Sequence, residues 1–398
     1  MTFDPLGDVV SSQYEEWVDS EPIMDLPGWM ANNWQWFDPS IAHRMFWPDR
    51  NEASGLDILI AGCGTNQAAV FAYANPDAKV VAIDVSQSSL DHHQYLKNTY
   101  SLTNLELYRL PIENLNTLNQ SFDLIVSSGV LHHLADPLVG LKSLAGALRP
   151  DGVVAIMLNA TYGRLGVEML QSVFRELGLQ RDEASVAMVR EALSSLAEGH
   201  PIQSYIEIAP DLSFDAGLVD TFLHGRDRTY TVDECIEVVS DAGLTFQEWF
   251  VKSPYYAPPS RNNRFLSTVA DLPDRAQWSA MERINPRNGC HYFPACHVDR
   301  PTKSYVIDFA AEDFTRFIPE FRYRCRLVGE QLSRSNWVLD LDSTQLAFVE
   351  LVDGRRTIDE IISIAAENGS FPRERITEMG REVFKSLWQL DFFAMGLP

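Results

Sequence analysis

The chain has 398 residues, 45% of them hydrophobic, 22% charged and 11% aromatic. This composition excludes wholesale disorder and fibrous repeats, and the length predicts two or three domains. With 32 basic and 55 acidic residues the formal charge is −23, which repels phosphate backbones and argues against a nucleic-acid substrate. The N-terminus lacks the basic stretch of a signal peptide, no apolar run is long enough to span a bilayer, and five scattered cysteines form no disulfide framework. A cytoplasmic protein without a membrane partner is expected.

Residues 1–50 are rich in aromatics, among them Trp17, Trp29, Trp34, Trp36 and Trp47. They predict an irregular cap with short helices. Short apolar runs then predict buried strands at 57–61, 79–84, 105–110, 122–127 and 153–158. Between them the spacing predicts helices over 67–73, 86–98 and 137–148, the last stopped by Arg149-Pro-Asp-Gly152. Strands alternating with helices imply a doubly wound parallel α/β sheet. Residues 161–223 break the rhythm and read as a helical lid insertion. Thr231 and Glu234 form a capping box opening a helix that stops near Gly243. Strands at 244–251 and 290–298, with a helix over 275–284 between them, would complete the sheet and end a domain running from 51 to 303.

From about residue 304, strand-like segments precede helices over 342–352, 357–369 and 372–389. Gly354 and Gly369 are the predicted stops of the first two, and a capping box at Thr357 and Glu360 opens the second. Such an arrangement fits a winged-helix module at 304–398. Its apolar helix positions Leu346, Val349, Ile361, Ile362 and Leu387 are expected to pack inside it.

Chemistry concentrates in the first sheet. The loop Ala61-Gly-Cys-Gly-Thr-Asn66 follows a buried strand, where glycines let the backbone approach a ligand closely. The next strand ends in Asp84, placed to accept the ribose hydroxyls of a nucleoside. Together with Phe122-Asp-Leu-Ile-Val-Ser-Ser-Gly-Val-Leu-His-His-Leu134 and Leu148-Arg-Pro-Asp-Gly-Val153, these motifs resemble the class I S-adenosylmethionine-dependent methyltransferases over residues 55–160. The resemblance implies a seven-stranded Rossmann-like sheet and S-adenosylmethionine as cofactor. It places Gly62, Cys63 and Gly64 against the methionine part, Asp84 on the ribose, and Val85 and Ile112 at the adenine. Ser127, Ser128 and Gly129 would lie beneath the sulfonium. The sequence departs from the family at Ala61 and Pro111, where acids are usual, and at Asn66, near which a third glycine is usual.

Methyl transfer needs an aligned nucleophile and, for a hydroxyl or ammonium, a general base. His132 and His224 are the candidates, and His133 is assigned a structural role. Tyr14 lies in a Gln-Tyr-Glu-Glu tract resembling one ahead of some of these cores, and an aromatic ring near a sulfonium is favourable. Cys290, His291, Cys296 and His297 would alternate faces on a strand, so no metal site is expected. The tail resembles the peptide-binding modules of PqqD-type proteins and the C-terminal module of bacterial protein-lysine methyltransferases. The expected function is methylation of an oxygen or nitrogen on a small molecule. The alternatives are methylation of a peptide or protein recruited by the tail, and a non-catalytic cofactor-binding protein. In the tail a regulatory or homodimerising role weighs equally with peptide clamping.

Overall fold

In the computed structural model, which describes residues 4–18, 21–258, 263–334, 337–368 and 371–397, seven strands make one sheet. They are β1 (Asp57–Ala61), β2 (Lys79–Asp84), β3 (Leu105–Arg109), β4 (Phe122–Ser128), β5 (Leu148–Asn159), β6 (Leu244–Phe246) and β7 (Cys290–His297). Their order is β3-β2-β1-β4-β5-β7-β6. The first five pair in parallel, and β7 runs antiparallel to both neighbours. Ile58, Leu59, Ile60, Val80, Val81, Leu124 and Ile125 are all fully buried. Continuous apolar runs of this kind suit strands covered by helices on both faces.

Two strands differ from expectation. The 244–251 strand stops at Phe246. Strand β5 begins at Leu148, expected as the last residue of a helix, and takes in the expected stop at 149–152; its register jumps from Phe122–Leu148 to Leu124–Val153. Residues 149–152 therefore bulge, because Pro150 lacks a ladder donor and Gly152 bends readily. The insertion carries helices Leu165–Glu176, Glu183–Ser195, Ile202–Ile206 and Asp215–Phe222 around a small core of its own, including Val167, Val189 and Leu218.

The chain divides into two units. The first comprises Met1–Phe37, Ser54–Phe246 and Glu282–Asp299; the second comprises Asp38–Ala53, Gln247–Met281 and Arg300–Pro398. In the second, β8 (Ile318–Phe321) pairs with β12 (Phe393–Gly396), and β9 (Cys325–Val328), β10 (Gln331–Arg334) and β11 (Trp337–Asp340) form an antiparallel meander. Helices Ser343–Val349, Ile358–Asn368 and Arg373–Gln389 bury Val349, Ile361, Ile362 and Leu387 in its core, with Leu346 packed against them. The capping box at Thr357 and Glu360 forms as expected, with N–H···O distances of 2.8 and 3.2 Å. The expected stop at Gly369 and residues 259–262 lie outside the described residues. The segments 38–53 and 247–281 are tied into this unit. Arg44 pairs with Glu320 at 2.7 Å, and Gln247 Nε2 donates to Phe46 O at 3.0 Å.

Candidate functional site

A cleft opens at the C-terminal ends of β1, β2 and β4, where open α/β sheets hold ligands. It holds about 920 Å³ of space not filled by atoms, open solvent included. Gly62 and Gly64 follow β1 with φ of +81° and +48°, left-handed conformations that favour glycine. A Cβ on Gly62 would meet Val130 Cγ2 at 2.4 Å, so the turn stays tight against the β4 loop.

Asp84 organises this turn. Its carboxylate accepts the backbone N–H groups of Cys63 (2.8 Å), Gly64 (3.1 Å) and Ser86 (2.9 Å). Burial pushes its pKa up, against the three donors that hold it down. Ser86 caps the helix Gln87–Tyr100 and donates its hydroxyl to Tyr14 O at 3.0 Å. The N-terminal helix Val9–Glu16 is thereby fastened beside β2. Glu15 tightens the junction by accepting from Gln87 N at 2.9 Å and Ser88 N at 3.2 Å, at the positive end of the helix, and by pairing with Arg109 at 2.8 Å.

Of the residues expected to hold cofactor, Gly62, Cys63, Gly64, Asp84, Val85, Ile112, Ser128 and Gly129 line the cleft, and so does Tyr14. Ser127, His132 and His224 are not among the lining residues. Ser127 is fully buried, its Oγ without a hydrogen-bond partner among the described residues. Two lining residues escape motif reading. Glu113 follows Pro111 by two positions, in the turn Ile112–Leu118, and Gln67 opens the helix after β1. Glu113 Oε2 and Gln67 Oε1 are buried acceptors with no hydrogen-bond partner among the described residues. Buried acceptors are normally satisfied, so both oxygens suit a ligand that carries donors.

Behind the cleft lies a polar cluster. His133 lines the cleft, and its ring stacks on His224 with centroids 3.8 Å apart. Tyr14 Oη donates to Asp220 at 2.9 Å and stands 3.3 Å from His224 Nε2. Asp227 accepts from Asn159 (2.9 Å), Arg164 (3.0 Å) and Gln171 (3.1 Å). Burial alone would raise the Asp227 carboxyl, but the Arg164 guanidinium holds it well below the usual range. Burial, with neighbouring His133, pushes His132 and His224 well below the ordinary imidazole value. Both are therefore neutral at physiological pH.

The segment Cys290–His297 is a strand. His291 Nε2 pairs with Tyr230 O at 2.8 Å and His297 Nε2 with Leu148 O at 3.1 Å. Among the described residues, the groups whose ligand atoms come close enough to hold a metal lie instead at His132, His133 and Asp227 and at His133, Asp220 and His224. No helix of the described residues is long and apolar enough to cross a membrane.

Comparison with known proteins bears on the same segment. Residues 59–154 match a family model described as a methyltransferase domain. An uncharacterised protein of Synechococcus sp. is 30% identical over 253 residues, covering 61% of this chain and 60% of the relative. A malonyl-[acyl-carrier protein] O-methyltransferase of Acetivibrio thermocellus is 31% identical over 118 residues, covering 29% of this chain and 39% of the relative. The chain thus spans less than two thirds of either relative. The structure of PKMT2 from Rickettsia typhi has the same fold, with a TM-score of 0.65 at 15% identity over 91% of this chain and 75% of that one. Residues 59–154 are thus similar to a methyltransferase domain, and they lie in the sheet of order β3-β2-β1-β4-β5-β7-β6.

Proposed function

We propose that this protein binds S-adenosylmethionine in the cleft and directs its methyl group to an oxygen or nitrogen of a small molecule. One observation carries the reading: Asp84 ends β2 at the cleft, bonded to the glycine turn and still facing the space where a ribose would lie. In this reading Gly62, Cys63 and Gly64 hold the methionine part, with Gln67 Oε1 available to its ammonium. Val85 and Ile112 flank the adenine, and Glu113 supplies the acceptor that Pro111 cannot. Ser128 and Gly129 face the sulfonium and Ser127 backs them. Tyr14 closes the wall, where its ring favours a cation.

When bound, S-adenosylmethionine supplies an already activated methyl. The chain's own part is alignment, exclusion of water and management of the acceptor's proton. The named activity of the Acetivibrio relative, on an oxygen, supports an oxygen acceptor. A second reading, methylation of a peptide or protein brought by residues 304–398, draws on the tail's resemblance to protein-lysine methyltransferases. It draws also on the breadth of the likeness to PKMT2.

The test is to incubate the full chain with methyl-labelled cofactor and cell extract, then follow the methyl mass increment. Label in small metabolites is expected. Label confined to macromolecules would overturn the small-molecule assignment in favour of the second reading. Failure to bind the cofactor would overturn both.

A further inference from the structure

The peptide of Arg226 touches both stacked histidines, and it fixes their proton positions. Its N–H donates to His224 Nδ1 at 2.9 Å, so that nitrogen is an acceptor. Being neutral, His224 then carries its proton on Nε2, 3.3 Å from Tyr14 Oη, and Tyr14 donates its own O–H in a hydrogen bond to Asp220. The carbonyl of the same Arg226 lies 2.8 Å from His133 Nδ1. A carbonyl only accepts, so Nδ1 of His133 is the protonated nitrogen. In its one-proton form His133 presents a bare Nε2, which has no hydrogen-bond partner among the described residues, on a side chain that lines the cleft.

This proton arrangement also weighs against a metal held by His133, Asp220 and His224. For His224 to ligate through Nε2 in its neutral form, Nδ1 would need the proton and would face the Arg226 N–H, donor against donor.

From the geometry we propose that His133 is the general base of the methyl transfer, and that the acceptor substrate bears its proton on the nucleophilic oxygen or nitrogen. This inference rests on the methyltransferase reading above and deepens it. As the acceptor's O–C or N–C bond to the methyl forms, the S–C bond breaks and its electron pair stays on sulfur as a neutral thioether. The acceptor's proton passes to His133 Nε2. The imidazolium so formed keeps its Nδ1–H on Arg226 O, with the Asp227 carboxylate 3.9 Å away to balance its charge. Arg226 is itself anchored, its guanidinium paired with Asp8 at 2.7 and 3.1 Å and bonded to His133 O at 3.3 Å. Tyr14, His224, Arg226 and Asp227 are thus positioning residues around one base. Acceptors already ionised at neutral pH, such as carboxylates, gain nothing from it.

Two measurements on the full chain test the assignment. Diethyl pyrocarbonate acylates unprotonated, accessible imidazole nitrogens. His133 is itself only 4% exposed but lines the cleft, so peptide mapping over a time course should find it modified before His132 and His224; His132 or His224 modified first would overturn the proposal. Then His133→Gln, which keeps a donor and loses the base, is compared with wild type for label transfer into extract. A fall of about 100-fold or more is expected, with calorimetric affinity for S-adenosylmethionine held within a few-fold. Transfer within a few-fold of wild type would overturn the base. Absence of cofactor binding in the wild type would strike the functional reading instead.

Discussion

The first unit gathers Tyr14, His133, His224 and Asp227 beside a cleft, whereas the second gathers Lys252, Arg322, Arg334 and Asp391 inside its core. Both groups are buried or half-buried and rich in ionisable side chains. In the first, one imidazole nitrogen is left without a partner among the described residues, on a side chain that lines the cleft. In the second, Asp391 is fully buried and accepts from Lys252 N (2.9 Å), Ser253 N (2.9 Å), Arg334 (3.1 Å) and Arg322. Every lone-pair direction there is answered from within. Burial would raise the Asp391 carboxyl, yet the Arg322 and Arg334 guanidinium groups hold it below its ordinary value. A cluster of perturbed ionisable groups marks a site when it leaves chemistry unspent, and a structural strut when it does not.

The sharpest way to break this contrast is Asp391→Ala. It would strand two guanidinium groups and two backbone N–H groups, costing about 3–5 kcal/mol. Hydrogen exchange should show the loss in peptides of β8–β12. Asp391→Asn, which tolerates the left-handed backbone at φ +64°, should cost less. Equal protection in the Ala variant and wild type would remove the strut.

A somewhat smaller effect per residue should follow from acid acting on the first unit. Burial pushes His93 and His291 down to about 4. Because the folded values lie below the unfolded value of about 6.5, their contribution is complete above that pH. It is lost as pH falls toward 4, on the order of 3 kcal/mol per histidine. Melting temperature should fall as pH is lowered through that window, and His291→Gln should make the fall shallower. An unchanged slope would show that His291 does not titrate as described.

The smallest expected effect is Glu15→Ala, which removes the anchor of the N-terminal helix from the Gln87–Tyr100 terminus at a cost of about 1 kcal/mol. Faster exchange over residues 9–16, with unaltered exchange in β1 and β2, is the expected result.

Much of the first unit was legible in sequence. Buried parallel strands write themselves as unbroken apolar runs, and Asp57–Ala61 followed by Gly62 and Gly64 admits little but a strand and a tight turn. Asp84 was legible for the same reason, as the polar end of such a run. His133 was not, because its role depends on the carbonyl of Arg226, 93 residues away. Nothing local distinguishes it from His132, which faces away from the cleft. Glu113 was hidden by register: the 3₁₀ turn Ile112–Leu118 carries the acid to the wall two positions later than the family motif would place it. In the second unit the capping box at Thr357 was legible, while the anchoring of residues 38–53 and 247–281 was not. Pairs such as Arg44 with Glu320 leave no periodic trace.

The central claim is that Asp84 and the glycine turn form an S-adenosylmethionine site, and calorimetric titration of the full chain with S-adenosylhomocysteine tests it most directly. Saturable heat is predicted for the wild type. Affinity should fall about 10- to 100-fold in Asp84→Asn, as expected for losing charge-assisted bonds to a ribose, while the melting transition persists. No heat with the wild type, or undiminished affinity in Asp84→Asn, would contradict the account.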